Sequence, residues 1–159
     1  MKIEVIKAIG RGHTDIGAFD NALWNAGVAN FNLIRLSSVI PEQCKEVVVS
    51  ERYQRKKAHG DKLYCIYASS VGSQCAAGIA YDRDDETGLG VFVEHEGDNE
   101  KIVRERLNKS LDDLFENRSW KLNPGNRHEF SIKAEAENEG EVVCAFVVAV
   151  VQEQGWDEE

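Results

Sequence analysis

The chain is organised around the segment NLIRLSSVIP, residues Asn32–Pro41. A strand-like run ends there in two adjacent serines, Ser37 and Ser38. Pro41 stops any further sheet ladder, because its nitrogen has no hydrogen to donate. Adjacent serines at a strand end usually mark only a turn. They are also compatible with a self-cleaving backbone that leaves a catalytic group at the new terminus. The segment alone leaves both interpretations open.

The length and charge of the chain limit what it does. Its 159 residues predict a single domain, residues 1–159. It has 19 basic and 28 acidic side chains, a net charge of −9. This balance argues against non-specific binding to nucleic acid or to anionic membranes. No signal peptide or membrane-spanning apolar run is recognisable, so a cytoplasmic protein is expected.

The metal-binding residue types do not form a recognisable metal site. The four cysteines lack the paired spacing of a zinc site and are expected to be free thiols packed as small hydrophobic groups. The histidines are scattered, so no metal is predicted. The basic cluster at residues 52–57 is interpreted as a solvated loop or short helix, because no wider basic surface supports phosphate contacts.

The apolar pattern predicts an α+β fold with mostly antiparallel sheets and helices packed outside. Strands are predicted at residues 2–8, 31–36, 63–71, 74–81, 89–95, 129–136 and 142–152. Turn signals at Gly72–Ser73 and Asn138–Gly140 predict two hairpins. Residues Gly10–His13 are expected to form a flexible loop.

Two helices with one apolar face each are predicted. The first is capped by Thr14 or Asp15 and stops at Gly27, and the second runs from an Asp98 cap to about Arg118. Their apolar faces are expected to be Ile16, Phe19, Leu23 and Ala26 in the first helix, and Val103, Leu107, Leu111 and Leu114 in the second.

Familiar nucleophile and phosphate motifs are missing from the sequence. It contains no G-x-S-x-G elbow, Walker loop or H-E-x-x-H segment. The remaining candidates are the serine pair, Asn32, Asp20 beside an apolar helix face, and Glu94 near a strand end. Taken singly, these polar residues favour a turn asparagine, a helix-rim aspartate and a solvated glutamate.

Several blocks of the sequence together resemble the pyruvoyl-dependent arginine decarboxylases. They are AFDNAL at 18–23, AGVANFNL at 26–33, RLSSVIP at 35–41, AAGIA at 76–80 and GVFVE at 90–94. The resemblance extends from about residue 3 to residue 150. It implies a four-layer α-β-β-α sandwich that assembles as trimers, with active sites between neighbouring subunits.

The resemblance also implies self-processing. Ser38 Oγ would attack the carbonyl carbon of Ser37, and the resulting ester would break by elimination and hydrolysis. The products would be a β subunit, residues 1–37, and an α subunit, residues 38–159, which begins with a pyruvoyl group made from Ser38. By the same resemblance, the Asn32 amide is the donor to the developing oxyanion.

The implied reaction converts L-arginine to agmatine and carbon dioxide, a step of polyamine biosynthesis. The pyruvoyl ketone would form a Schiff base with the substrate's α-amino group. Glu94 would reprotonate the α-carbon, in an apolar setting to which Val91 and Val93 contribute. Asp20 would accept hydrogen bonds from the guanidinium, and the freed Ser37 terminus would lie close to the substrate.

Two other functions are compatible with the sequence. A pyruvoyl decarboxylase could act on another cationic amino acid, and Asp20 argues against aspartate as substrate. An unprocessed, non-catalytic trimeric paralogue would instead be a binding or regulatory protein. Departures from the family pattern at residues 10–13 and 51–62 concern specificity and the trimer surface more than processing.

Overall fold

The computed structural model describes residues 1–56 and 58–158. In this part the elements are, in chain order, β1 (Lys2–Gly12), α1 (Asp15–Ala26), β2 (Asn32–Arg35), β3 (Val39–Ile40), β4 (Glu46–Val49), β5 (Lys62–Gly72), β6 (Gln74–Arg83), β7 (Gly90–Gly97), α2 (Glu100–Asn117), β8 (His128–Glu135) and β9 (Val142–Gln154). Of the basic cluster at residues 52–57, Arg52 to Lys56 form no helix or strand, and Lys57 lies outside the described residues.

The strands form two sheets. The first has the order β2-β5-β9-β1-β4 and the second β3-β7-β6-β8. All pairs in the second sheet are antiparallel, whereas β2 and β4 join the edges of the first sheet in parallel. The predicted α+β class with mostly antiparallel sheets is thereby confirmed.

Strand β9 illustrates how the core is layered, because its side chains alternate between two apolar clusters. Val143, Ala145, Val147 and Ala149 join the cluster between the two sheets, which also contains Phe92 of β7. Cys144, Phe146, Val148 and Val150 face the opposite way, toward α1. The second helix, α2, packs on β6 and β7. All four cysteines are buried and free, as expected.

Helix α1 has the predicted ends but a different buried face. Thr14 caps it by accepting a hydrogen bond from the Gly17 N–H (3.0 Å), and Gly27 ends it in the left-handed conformation at φ 86°. Its buried residues are Ala18, Ala22, Leu23 and Ala26. Ile16 is 82% exposed, so its assignment to the apolar face was wrong. It lies two residues before Ala18, which turns it about 200° around the helix axis.

Strand β1 continues through the predicted loop at Gly10–His13 as far as Gly12. Gly10 pairs with Cys144 of β9, so the loop prediction was wrong for this part. Glycine is required there, because a Cβ on Gly10 would lie 2.1 Å from the carbonyl oxygen of Ala18. This close approach explains why the buried face of α1 consists mainly of alanines.

Helix α2 begins one residue later than predicted. Asn99 is its cap, with Oδ1 accepting a hydrogen bond from the Ile102 N–H (3.1 Å), rather than Asp98. Phe115 takes the buried position expected for Leu114, which is only partly buried. Within the described residues, neither helix is long and apolar enough to cross a membrane.

Both predicted hairpins were wrong. Strands β5 and β6 belong to different sheets, and so do β8 and β9. The turns at Gly72–Ser73 and Asn138–Gly140 therefore carry the chain between the two packed sheets. Turn residues indicate a reversal of direction, but they do not distinguish a hairpin in one sheet from a corner between two sheets.

Candidate active site

The serine pair lies where the chain crosses from the first sheet to the second. The last bond to the first sheet runs from the Leu36 N–H to the Cys65 carbonyl (2.9 Å). The first bond to the second sheet runs from the Phe92 N–H to the Ser38 carbonyl (2.8 Å). Ser37 and Ser38 therefore form a short connection that is held at both ends.

Ser38 has a strained backbone. Its φ is 75°, in the left-handed region, which among the described non-glycine residues only Ser119 shares. Such a conformation costs about 1–3 kcal/mol and persists only where the surroundings hold it. Ser38 is 8% exposed, whereas the preceding Ser37 is exposed. The strained residue is thus the buried serine that directly follows the exposed one.

Glu94 is the side chain that the structure brings to Ser38. The Ser38 hydroxyl donates a hydrogen bond to Glu94 Oε2 at 2.8 Å. A carboxylate at this distance can take the hydroxyl proton, which is the usual way to activate a serine oxygen. The two residues expected to act on the same reaction are therefore adjacent, although they are far apart in the sequence.

The surroundings of Glu94 differ from the prediction. Val91 and Val93 belong to the cluster under α2, on the opposite face of β7, so they do not form its apolar setting. Because strand side chains alternate, Glu94 shares the face of Phe92, which lies in the core between the sheets. The error was to treat residues near in sequence as neighbours of the side chain.

His95, the residue after Glu94, faces away from the serines. Its Nε2 lies 2.7 Å from the Ser110 hydroxyl of α2. Burial lowers the pKa of this imidazole. The histidine therefore belongs to the contact between β7 and α2 rather than to the candidate site.

Asn32 is not close to the serine pair within one chain. Its side-chain amide donates to the Gly60 carbonyl at 2.6 Å, at the start of β2. About 13 Å of extended strand separates it from Leu36. Its role as oxyanion donor stays a prediction.

Asp20 is also on another surface. It is exposed on α1, with no hydrogen bond or ion pair to another residue in ranges 1–56 and 58–158. Helix α1 packs on the outer face of the first sheet, whereas Glu94 points between the sheets. A substrate that touches both carboxylates would need the Asp20 of another subunit.

Sequence reasoning missed one side chain next to the serines. Arg35, at the end of β2, donates from Nη2 to the Tyr67 carbonyl at 2.5 Å. Its guanidinium carbon lies 4.4 Å from the centre of the Tyr67 ring. The available signal was its place in the sequence, two residues before Ser37.

Comparison with known proteins identifies the family. The sequence profile of the family "Pyruvoyl-dependent arginine decarboxylase (PvlArgDC)" matches residues 2–155. The chain belongs to this family. The resemblance inferred from the sequence blocks is thereby confirmed.

Several pyruvoyl-dependent arginine decarboxylases of archaea are similar to the chain. That of Methanocaldococcus jannaschii is 28% identical over 94% of this chain and 88% of the relative. That of Pyrococcus horikoshii is 28% identical over 94% and 93%. Pyruvoyl-dependent arginine decarboxylase 2 of Archaeoglobus fulgidus is 32% identical, over 58% of this chain and 62% of the relative.

The strain at Ser38 leads to a prediction about stability. Ser38→Gly should raise the free energy of unfolding by about 1 kcal/mol relative to Ser38→Ala, because glycine adopts a positive φ without penalty. Both variants lack the hydroxyl, so any difference reports the backbone. Urea unfolding of the two proteins measures it. Equal stability of the two variants would contradict the strain.

Proposed function

We propose that the chain is a self-processing decarboxylase that converts L-arginine to agmatine and carbon dioxide. The observation that carries the proposal is the strained, buried Ser38, whose hydroxyl donates to Glu94 Oε2. Family membership over residues 2–155 supports the reaction class. The free cysteine thiols agree with a reducing, cytoplasmic setting.

Processing would start with proton transfer from Ser38 Oγ to Glu94. The oxygen attacks the Ser37 carbonyl carbon, the C–N bond breaks, and the released nitrogen takes up the proton. The chain is then joined by an ester. Elimination removes the α-proton of residue 38 and breaks its Cβ–Oγ bond, with the electron pair leaving on the Ser37 carboxylate. Water then replaces the nitrogen of residue 38, which leaves as ammonia.

The residues present fit a pyruvoyl group at position 38. That position is buried beside a carboxylate, and the Phe92 N–H holds its main-chain carbonyl, the one that would be conjugated with the ketone. The group supplies an electrophilic carbonyl that binds an amine and withdraws electrons as carbon dioxide leaves. Glu94 would hold a proton on Oε2 for delivery to the substrate's α-carbon.

Substrate selection would depend on a second copy of the chain. We place Asp20 and Asn32 of a neighbouring subunit opposite the Ser38 and Glu94 of the first, in a trimer of four-layer subunits. The exposed Asp20 carboxylate, which has no partner among residues 1–56 and 58–158, suits a guanidinium, to which it would offer two parallel acceptors. The freed Ser37 carboxylate would face the substrate's amino group.

The mass of the purified protein under denaturing conditions tests the proposal. We expect two fragments, residues 1–37 and 38–159, the larger one blocked to Edman degradation and reactive with a carbonyl reagent. The processed protein should release carbon dioxide from L-arginine. One intact chain after prolonged incubation would overturn self-processing and favour a non-catalytic paralogue. Fragments that release carbon dioxide only from another cationic amino acid would overturn the choice of substrate.

Glu94→Gln should still cleave, but slowly, and should decarboxylate poorly. Glutamine keeps an acceptor for the Ser38 hydroxyl but does not take its proton, and loss of a general base costs about 10²–10⁴-fold in rate. The time course of fragment formation and carbon dioxide release measure the two steps. Glu96→Gln, on the same face of β7, keeps an acceptor for the Ser69 N–H and is the matched control. Wild-type rates in Glu94→Gln would show that Glu94 has neither role.

A further inference from the structure

Arg35 takes the place in the first sheet that the scissile amide would otherwise occupy. Strands β2 and β5 pair in parallel from Asn32↔Lys62 to Arg35↔Cys65. The Asn32 N–H bonds to the Asp61 carbonyl and the Leu36 N–H to the Cys65 carbonyl. Continued by two residues, this register would join the Ser38 N–H to the Tyr67 carbonyl. In the structure, Arg35 Nη2 donates a hydrogen bond to that carbonyl instead.

The Arg35 side chain, bonded to the Tyr67 carbonyl in place of the Ser38 N–H, has two effects on the serine pair. The Ser38 N–H is kept out of the sheet ladder, which leaves Ser38 free to adopt its positive φ. The guanidinium also occupies the edge of the first sheet at the point where the serine pair leaves it. A cation is therefore held two residues before the bond that the proposed processing breaks.

The Arg35 guanidinium lies over a tyrosine ring that is itself packed against two other rings. The Tyr67 ring, over which Arg35 lies, packs against Phe19 of α1 and Phe146 of β9, with ring centres 6.4 and 5.7 Å away. Arg35 has five N–H donors, and Tyr67 accepts from one of them. Within ranges 1–56 and 58–158 it forms no ion pair with a carboxylate. Tyr67 thus holds the guanidinium in place, and no carboxylate in these ranges balances its charge.

We propose that Arg35 is a positioning residue for chain cleavage, a role that rests on the self-processing proposed above. Its partner is the carboxylate that cleavage creates at Ser37. In the elimination step this carboxylate leaves with the electron pair of the Cβ–Oγ bond. Arg35 and Ser37 are two residues apart, about 7 Å along an extended chain, so the new main-chain carboxylate is within reach of an arginine side chain. The guanidinium therefore stabilises the departing carboxylate and then holds the new terminus in place.

This role assigns Arg35 to the second step of processing, which makes it testable. Arg35→Met keeps an unbranched apolar stem but removes the charge, so the ester should form and accumulate while elimination slows about 10- to 100-fold. Hydroxylamine cleaves esters but not amides. Treated Arg35→Met should therefore yield residues 1–37 as a hydroxamate, and residues 38–159 with an N-terminal serine open to Edman degradation.

The controls separate this role from a structural one. Arg35→Lys keeps the charge and should process faster than Arg35→Met. Arg52→Met is the matched control for Arg35→Met. Arg52 also donates to a backbone carbonyl, that of Trp24 near the end of α1 (3.1 Å), and its guanidinium carbon lies 6.0 Å from the centre of the Trp24 ring. The Arg52→Met variant should process like the wild type and lose similar thermal stability to Arg35→Met.

Three outcomes would overturn the role of Arg35. They are wild-type processing in Arg35→Met, slow processing with no hydroxylamine-sensitive ester, and equal slowing in Arg52→Met. The wild-type chain, followed in parallel, tests the proposed function itself. If it stays intact, both proposals fail, whereas cleavage of the wild type with any of the three outcomes rejects Arg35 alone.

Discussion

Ser38→Ala is expected to leave a single uncut chain, however long the protein is incubated. The substitution removes the oxygen that would attack the Ser37 carbonyl, and no other hydroxyl in the described residues donates to Glu94. Alanine fits the space of the buried serine, so the variant should fold. Denaturing mass spectrometry gives one mass in place of two, and decarboxylation should be absent.

Ser37→Ala is the matched control for this prediction. It keeps the carbonyl that is attacked and changes only an exposed side chain. This variant should yield two fragments, the smaller one lighter by one oxygen. Fragments from Ser38→Ala would put the cut elsewhere, and an intact Ser37→Ala chain would show that the first serine has a part in the chemistry beyond its carbonyl.

Arg127→Met should lower the free energy of unfolding by about 3–5 kcal/mol, because it leaves a buried carboxylate without its partner. The Asp82 side chain is completely buried, and Arg127, whose side chain is 8% exposed, donates to it at 3.3 Å. Arg127 also bonds to the Asn108 carbonyl and to Asp112. It therefore links β6, the segment before β8 and α2. Urea unfolding at neutral pH measures the loss.

Two further variants isolate the buried charge as the cause. Arg104→Met breaks the ion pair with Glu129, but Arg104 is 58% exposed, so the loss should be at most about 1 kcal/mol. In an Asp82→Asn background, Arg127→Met should cost clearly less than it does alone. An equal cost in both backgrounds would mean that packing, not charge, determines the effect.

Acid pH should partly rescue Arg127→Met. Burial already raises the pKa of Asp82 above its ordinary value, and loss of Arg127 raises it further. A raised pKa means that the folded state binds the proton more readily than the unfolded chain, so the contribution of this group to stability improves as the pH falls. The difference in free energy of unfolding between the variant and the wild type should therefore decrease toward acid pH.

The sequence predicted local features well where short-range chemistry decides them. The Thr14 cap and Gly27 stop of α1 follow from side-chain hydrogen bonding and from the conformational freedom of glycine. Ser38 and Glu94 were assigned to one site only through family resemblance, and their hydrogen bond was not predicted, because nothing in the spacing of two residues 56 positions apart indicates contact. Resemblance thus carried the long-range part of the site.

The features that sequence reasoning missed depend on how distant segments pack. Gly10 was assigned to a loop because its need for glycine comes from α1, which approaches it closely. The corner at Gly72–Ser73 was taken for a hairpin, because the same residues serve both turns. Asn32 and Asp20 illustrate a further limit, because a site shared between subunits, as proposed here, would not be complete in one chain.

The position of β1 inside the first sheet decides what kind of molecule the proposed cut would leave. Strand β1 lies between β9 and β4, and both of these belong to the larger fragment. The 1–37 fragment would therefore stay hydrogen-bonded within the sheet after cleavage and would not dissociate from the folded protein. Folding would have occurred within one chain, but unfolding would release two. Refolding would then be an association of two chains, and it would depend on protein concentration.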